Sequence, residues 1–144
     1  MKNVFVSSLL VAVTCLSISS CNKDDDSDAS TSIEKGLIGK WDFYRVTEEG
    51  ALVLYVHAEG CDKDYVEFVD GGEIRVTNHE EENCEIDMNT GTWTVNDNKL
   101  SVKMKFDGEN EETETYDVET LNKTDLKISF PRDGYNEVME FKRK

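Results

Sequence analysis

His57, Cys61, His79 and Cys84 are the residue types that zinc prefers, and they stand at His-x3-Cys and His-x4-Cys spacing. Neither pair is as tight as the C-x2-C of strong zinc motifs, so no metal is assigned to them. Two acidic groups carry the oxygens that calcium uses: Glu80, Glu81 and Glu82 with Glu85 and Asp87, and Glu109 with Glu111, Glu112 and Glu114. Neither follows the EF-hand order of alternating acids, central glycine and closing glutamate, and both read as solvated acidic loops. For catalysis, the chain has no Gly-x-Ser-x-Gly elbow, no Ser-x-x-Lys, no His-Glu-x-x-His and no glycine-rich phosphate loop. With so many acids, nothing singles out a glycosidase pair. No catalytic residue and no cofactor are assigned, and the chain is expected not to be an enzyme.

Cys21 is the cysteine whose surroundings specify chemistry. Residues 1–20 read as a processing segment: Lys2 is the only charge, an apolar run extends from Val4 to Ile18, and Ser19 and Ser20 precede the cysteine. The run is shorter than the roughly 20 residues of a transmembrane helix and is broken by Ser7, Ser8, Thr14 and Ser17. The stretch Ile18-Ser19-Ser20-Cys21 resembles the bacterial lipobox, an aliphatic residue, two small residues and a cysteine that becomes lipidated and N-terminal. That resemblance implies a membrane partner held through lipid on Cys21, each buried methylene contributing about 0.8 kcal/mol.

Residues 21–32 then form an acidic, Ser-rich tether that cannot bury enough apolar surface to order itself. The order cysteine, any residue, lysine, then acids is similar to the export signal of outer-membrane lipoproteins of Bacteroidota. It implies an outer-membrane lipoprotein facing the cell exterior, the alternative being the periplasmic face. The formal charge of -15 becomes -16 once Lys2 leaves, 15 basic against 31 acidic residues. Such a surface excludes nucleic acid as a partner and stands off anionic lipid headgroups. With Cys15 removed and Cys21 lipidated, Cys61 and Cys84 remain as an even pair in an oxidising compartment, where a disulfide is expected beside two ordinary surface histidines.

The elements that must position these residues lie in residues 33–144, one domain without an internal linker. Thr31 and Glu34 have capping-box spacing, predicting one helical turn ended by Gly36. Thereafter apolar residues alternate with period two, the mark of strands with one buried face. Leu100, Val102, Met104 and Phe106 form one such face, and Leu126, Ile128 and Phe130 another. Weaker alternation covers residues 39–47, with Trp41 and Phe43 on one face and Tyr44 and Val46 on the other. It recurs at residues 52–58, 65–69, 73–78, 92–95, 113–121 and 135–142. Turn residues separate the strands, including Glu49-Gly50, Asp70-Gly71-Gly72, Asn89-Thr90-Gly91 and Asn122-Lys123-Thr124. Connections this short join antiparallel neighbours. The fold class is all-β, a small antiparallel up-and-down barrel that removes free edges by closing, with a β-sandwich as the runner-up.

With the first strand placed, Gly39-Lys40-Trp41 resembles the Gly-x-Trp signature that opens the first strand of lipocalins. In that family the tryptophan closes one barrel end beneath an arginine from the last strand, a role that falls by position to Arg143. The chain is similar to short lipocalin-like domain lipoproteins of Bacteroidota through its lipobox, acidic tether, Leu37 to Trp41 stretch, cysteine pair and Gly91-Thr92-Trp93. The Thr-Asp-Tyr motif of standard lipocalins is echoed only by Thr124-Asp125-Leu126. The resemblance implies a non-enzymatic binding domain for a small apolar or amphipathic ligand. Trp41, Phe43, Leu100, Val102, Met104, Phe106, Leu126, Ile128, Phe130, Met139 and Phe141 are the candidate lining. The alternative is an interaction or accessory protein of an envelope complex, with a filled core and no ligand.

Overall fold

The computed structural model describes residues 32–105, 110–132 and 134–144. The signal segment, Cys21, nearly all of the tether and Phe106 lie outside the described residues. A short helix, α1 (residues 32–37), precedes nine strands. These are β1 (Gly39–Glu48), β2 (Ala51–Leu54), β3 (Tyr65–Phe68), β4 (Glu73–His79), β5 (Ile86–Asn96), β6 (Lys99–Met104), β7 (Glu112–Leu121), β8 (Asp125–Arg132) and β9 (Tyr135–Arg143).

From β3 to β9 each strand pairs antiparallel with the next. β9 then pairs with β1, and the first half of β1 pairs with β3, which closes an eight-stranded barrel. β2 stands outside that count as a short arm on the second half of β1. The closing pairs include Trp41 with Arg143 and Phe43 with Phe141, so large inward residues meet across the seam. This seam decides for a barrel over a sandwich, since it leaves neither β1 nor β9 as an open edge.

Alternation places the core on the inner face. Leu37, Trp41, Leu100 and Leu126 are fully buried, each worth roughly 1.5–3 kcal/mol of transfer free energy. Three local readings of the sequence change in the structure. A bulge between Phe43 and Arg45 shifts the register, so that Val46 lies opposite Met139 and shares the inner face with Phe43 instead of opposing it. The β2 strand stops at Leu54, because residues 55–64 leave the ladder to cross toward β3. Asn89-Thr90-Gly91 is not a turn but the middle of β5, which starts at Ile86. The glycine is there for close approach: a Cβ on Gly91 would sit 2.2 Å from the Lys103 carbonyl oxygen. Gly36 serves likewise inside α1, where a Cβ would lie 2.8 Å from Leu121 Cδ2.

Candidate functional site

The strand directions divide the barrel into two unlike ends. At one end lie α1, the start of β1 and the connections β3–β4, β5–β6 and β7–β8. There Trp41 is fully buried and donates its indole N–H to the Leu37 carbonyl at 2.7 Å. The Arg143 guanidinium lies 3.8 Å from the Trp41 ring centroid. Its Nη1 donates to the Ile38 carbonyl and its Nη2 to the Gly36 carbonyl, both at 2.7 Å. One cation thus covers the indole face and satisfies carbonyls left open at the end of α1. Leu126, 1% exposed, packs beside this plug, and Trp93 reinforces it by donating to the Val69 and Glu73 carbonyls. This end is shut.

Above the plug the barrel encloses a cavity of about 260 Å³. Of the residues expected to line it, Phe43, Leu100, Val102, Met104, Ile128, Met139 and Phe141 do so. Leu126 and Phe130 are instead packed in the core, the latter edge-on against Tyr116 with ring centroids 5.0 Å apart. Sequence reasoning missed Val66, Phe68, Ile74, Val76 and Tyr116, which complete the wall. Their signal was present, since each holds an alternate position in a strand that the pattern predicts.

Toward the other end the inner wall turns polar. A hollow of about 130 Å³ shares Val102, Met104 and Tyr116 with the cavity and is walled by Glu112 and Glu114. The Tyr116 hydroxyl donates to Glu114 Oε2 at 2.5 Å. Burial, and then the carboxylates of Glu114 and Glu137, push that hydroxyl far above the ordinary tyrosine range. Arg132 spans the same wall, its Nε donating to Glu137 at 2.8 Å and its Nη2 reaching Glu114 at 3.4 Å.

Residues 55–64 fold over this end. Tyr55 stacks on Phe43 at 4.9 Å and donates its hydroxyl to Asp64 Oδ2 at 2.9 Å. Burial and the Asp64 carboxylate raise the Tyr55 hydroxyl well above its ordinary range. Asp64 is itself buried, and its Oδ1 also accepts the backbone N–H of His79 at 2.8 Å. His57 Nδ1 accepts the Asp64 backbone N–H, which leaves Nε2 to donate to the Phe43 carbonyl and fixes one neutral tautomer. The two histidines are therefore not ordinary surface residues. Their side chains are 19% and 7% exposed because the polar backbone of a segment crossing apolar wall needs partners.

Cys61 and Cys84 form a disulfide, Cα atoms 5.3 Å apart, tying the β2–β3 and β4–β5 connections together at this end. The bond consumes both thiols of the four zinc-type residues, and among the described residues no group of three His, Cys, Asp or Glu is placed to hold a metal ion. The glutamates of residues 80–85 are solvent-exposed.

A shut end, an apolar cavity and a polar mouth make a cup, a geometry suited to holding a small molecule. Comparison with known proteins agrees. No curated protein matches the chain by sequence. A solved lipocalin-like protein from Bacteroides uniformis superposes with a TM-score of 0.57 at 15% identity, covering 74% of this chain and 98% of that one. A solved protein from Bacteroides eggerthii gives 0.55 at 12% identity over the same shares. Both likenesses concern the fold. The lipocalin-like domain profile matches residues 37–128, from the Leu37 that receives the Trp41 indole bond to the Ile128 that lines the cavity. That match spans more than half of the chain, and the protein belongs to the lipocalin-like domain family.

Proposed function

We propose that this protein is a lipid-anchored, outer-membrane binding protein whose barrel takes up a small apolar or amphipathic molecule at the cell surface. The lipocalin-like fold is generally a binding, non-enzymatic fold. The observation that carries the reading is the cavity of about 260 Å³ between the Trp41 plug and the mouth, apolar apart from the Tyr116 hydroxyl. A filled core would leave no such space. A ligand that enters it stabilises the folded state by mass action, about 2.7 kcal/mol at a hundredfold excess over Kd. Thermal unfolding of the purified protein against a panel of lipids, haem and bile acids is the test. A ligand-dependent rise supports the reading, and failure of every member removes the support for the pocket.

Anchoring and address rest on residues 18–28. Metabolic labelling with a fatty acid should mark the wild type and not Cys21→Ser. Protease added to intact cells should reach the domain if it faces the exterior and spare it if it faces the periplasm. The second reading, an accessory protein of an envelope complex, is favoured by one feature: Leu52, Leu54 and Val56 are 41%, 63% and 80% exposed at alternate positions beside the mouth. Stable association with another envelope protein, lost on replacing these three by serine, would favour it.

A further inference from the structure

The inner wall changes chemistry from floor to rim in a way that specifies the head of a ligand as well as its tail. On β7 the inward positions run Tyr116, Glu114, Glu112, standing opposite Leu100, Val102 and Met104 of β6. On β9 they run Met139 then Glu137, opposite Ile128 and Phe130 of β8. Carboxylates thus occupy strand positions on the cavity's own face, where they form a partly solvated rim above the apolar floor. Across the mouth, Asn89 and Asp87 of β5 pair with Val76 and Asn78 of β4, and share the face of the cavity-lining Val76.

Among the described residues Arg132 is the cation paired at this wall, bridging Glu114 and Glu137, and with Glu112 beside Glu114 the wall carries a formal surplus of two negative charges before Asp87 is added. Fields of one sign in a low-dielectric cleft are focused there and not averaged away. A fatty-acid carboxylate with its tail in the cavity would carry its charge into these carboxylates. An ammonium would meet acceptors.

Building on the binding reading above, we infer that the cup selects cationic amphiphiles: an apolar tail on the floor among Phe43, Leu100 and Ile128, and an ammonium head beside Glu112, Glu114 and Glu137. At roughly 30 Å³ for each heavy-atom-sized unit, the cavity takes about nine, room for an eight-carbon tail whose head reaches the rim.

The test compares octylamine, octan-1-ol and octanoate by titration calorimetry on the purified protein at neutral pH and low salt. Octylamine should bind about tenfold tighter than octanol, with octanoate weakest. Equal or weaker binding of the amine overturns the inference while leaving the pocket intact, whereas no binding by any of the three overturns the pocket reading itself. The double variant Glu114→Gln/Glu137→Gln should bring the amine to the affinity of the alcohol and leave the alcohol unchanged. Glu34→Gln/Asp70→Asn, the same charge change on exposed residues at the shut end, should keep the amine's advantage. If it erases the advantage equally, net charge and not the cup is responsible, and the inference fails. Should the Glu114 variant not fold, added salt gives the same answer on the wild type: the amine's advantage should shrink with salt while octanol binding holds. An advantage that salt leaves untouched counts against the carboxylates.

Discussion

Replacing Arg143 by alanine tests the shut end of the barrel most directly. The guanidinium makes two charge-assisted hydrogen bonds to backbone carbonyls, and such bonds contribute roughly 1.5–3 kcal/mol each. Its contact with the buried Trp41 ring adds about 1–2 kcal/mol. The Ile38 and Gly36 carbonyls recover part of the loss by hydration, and the contributions do not add, so the net cost comes to about 3 kcal/mol. For a domain of this size that corresponds to a fall in Tm of about 12 °C. Urea denaturation should show a lower midpoint at an unchanged slope. Arg143→Lys keeps the charge but not the fork that reaches both carbonyls, and should lie about midway. A loss below about 1 kcal/mol for the alanine variant, or a lysine variant equal to wild type, would refute the account of the plug.

Replacing both Cys61 and Cys84 by serine opens a link across 23 positions and should cost about 3 kcal/mol, read as a drop in urea midpoint that dithiothreitol reproduces in the wild type. Gly91→Ala should destabilise by about 3 kcal/mol or more, because the atom that must give way is a ladder carbonyl at 2.2 Å and not a flexible tip; an alanine variant that melts with the wild type would contradict this. Tyr55 and Tyr116 are held neutral by burial and by carboxylates, so their folded-state pKa values exceed the ordinary 10.0. Such groups contribute stability that is whole below that value and is lost as pH rises beyond it, since the unfolded chain ionises first. Tyrosinate absorbance should therefore show Tyr65, lowered chiefly by its bond with Thr77, titrating early, and Tyr55 and Tyr116 ionising only together with loss of structure.

Much of this architecture was legible because a strand with one wet face writes its period into the sequence. Leu100, Val102 and Met104 could be assigned inward from alternation alone, as could Ile128, Met139 and Phe141. The β5 strand was misread because Asn89-Thr90-Gly91 carries turn chemistry for a different reason, the near contact of two backbones, which only the paired strand reveals. The face of Val46 was lost to a bulge, whose extra residue has no residue-type signature. Asp64 was invisible: its role depends on Tyr55, His57 and His79 converging from segments that local pattern cannot align. The acidic wall was in view as a run of glutamates between Glu109 and Glu114 read as solvated; Glu111 and Glu112 are exposed, and what only the registers Met104 with Glu112 and Val102 with Glu114 reveal is that Glu112 and Glu114 stand on a strand at the rim of the cup.

The pairing of β1 with β9 also governs how the molecule is made. Trp41 and Arg143 are neighbours in the barrel but lie at opposite extremes of the domain's chain, so the seam is the most nonlocal contact in the fold. Such contacts come late and slow the folding of barrels, because a long loop must be closed before any reward is gained. A chain threaded out from its N-terminus has its first strand waiting, half-partnered, until the final residues arrive. Loss of even the last strand would leave an open sheet with two sticky borders, prone to self-association, in place of a merely weakened cup.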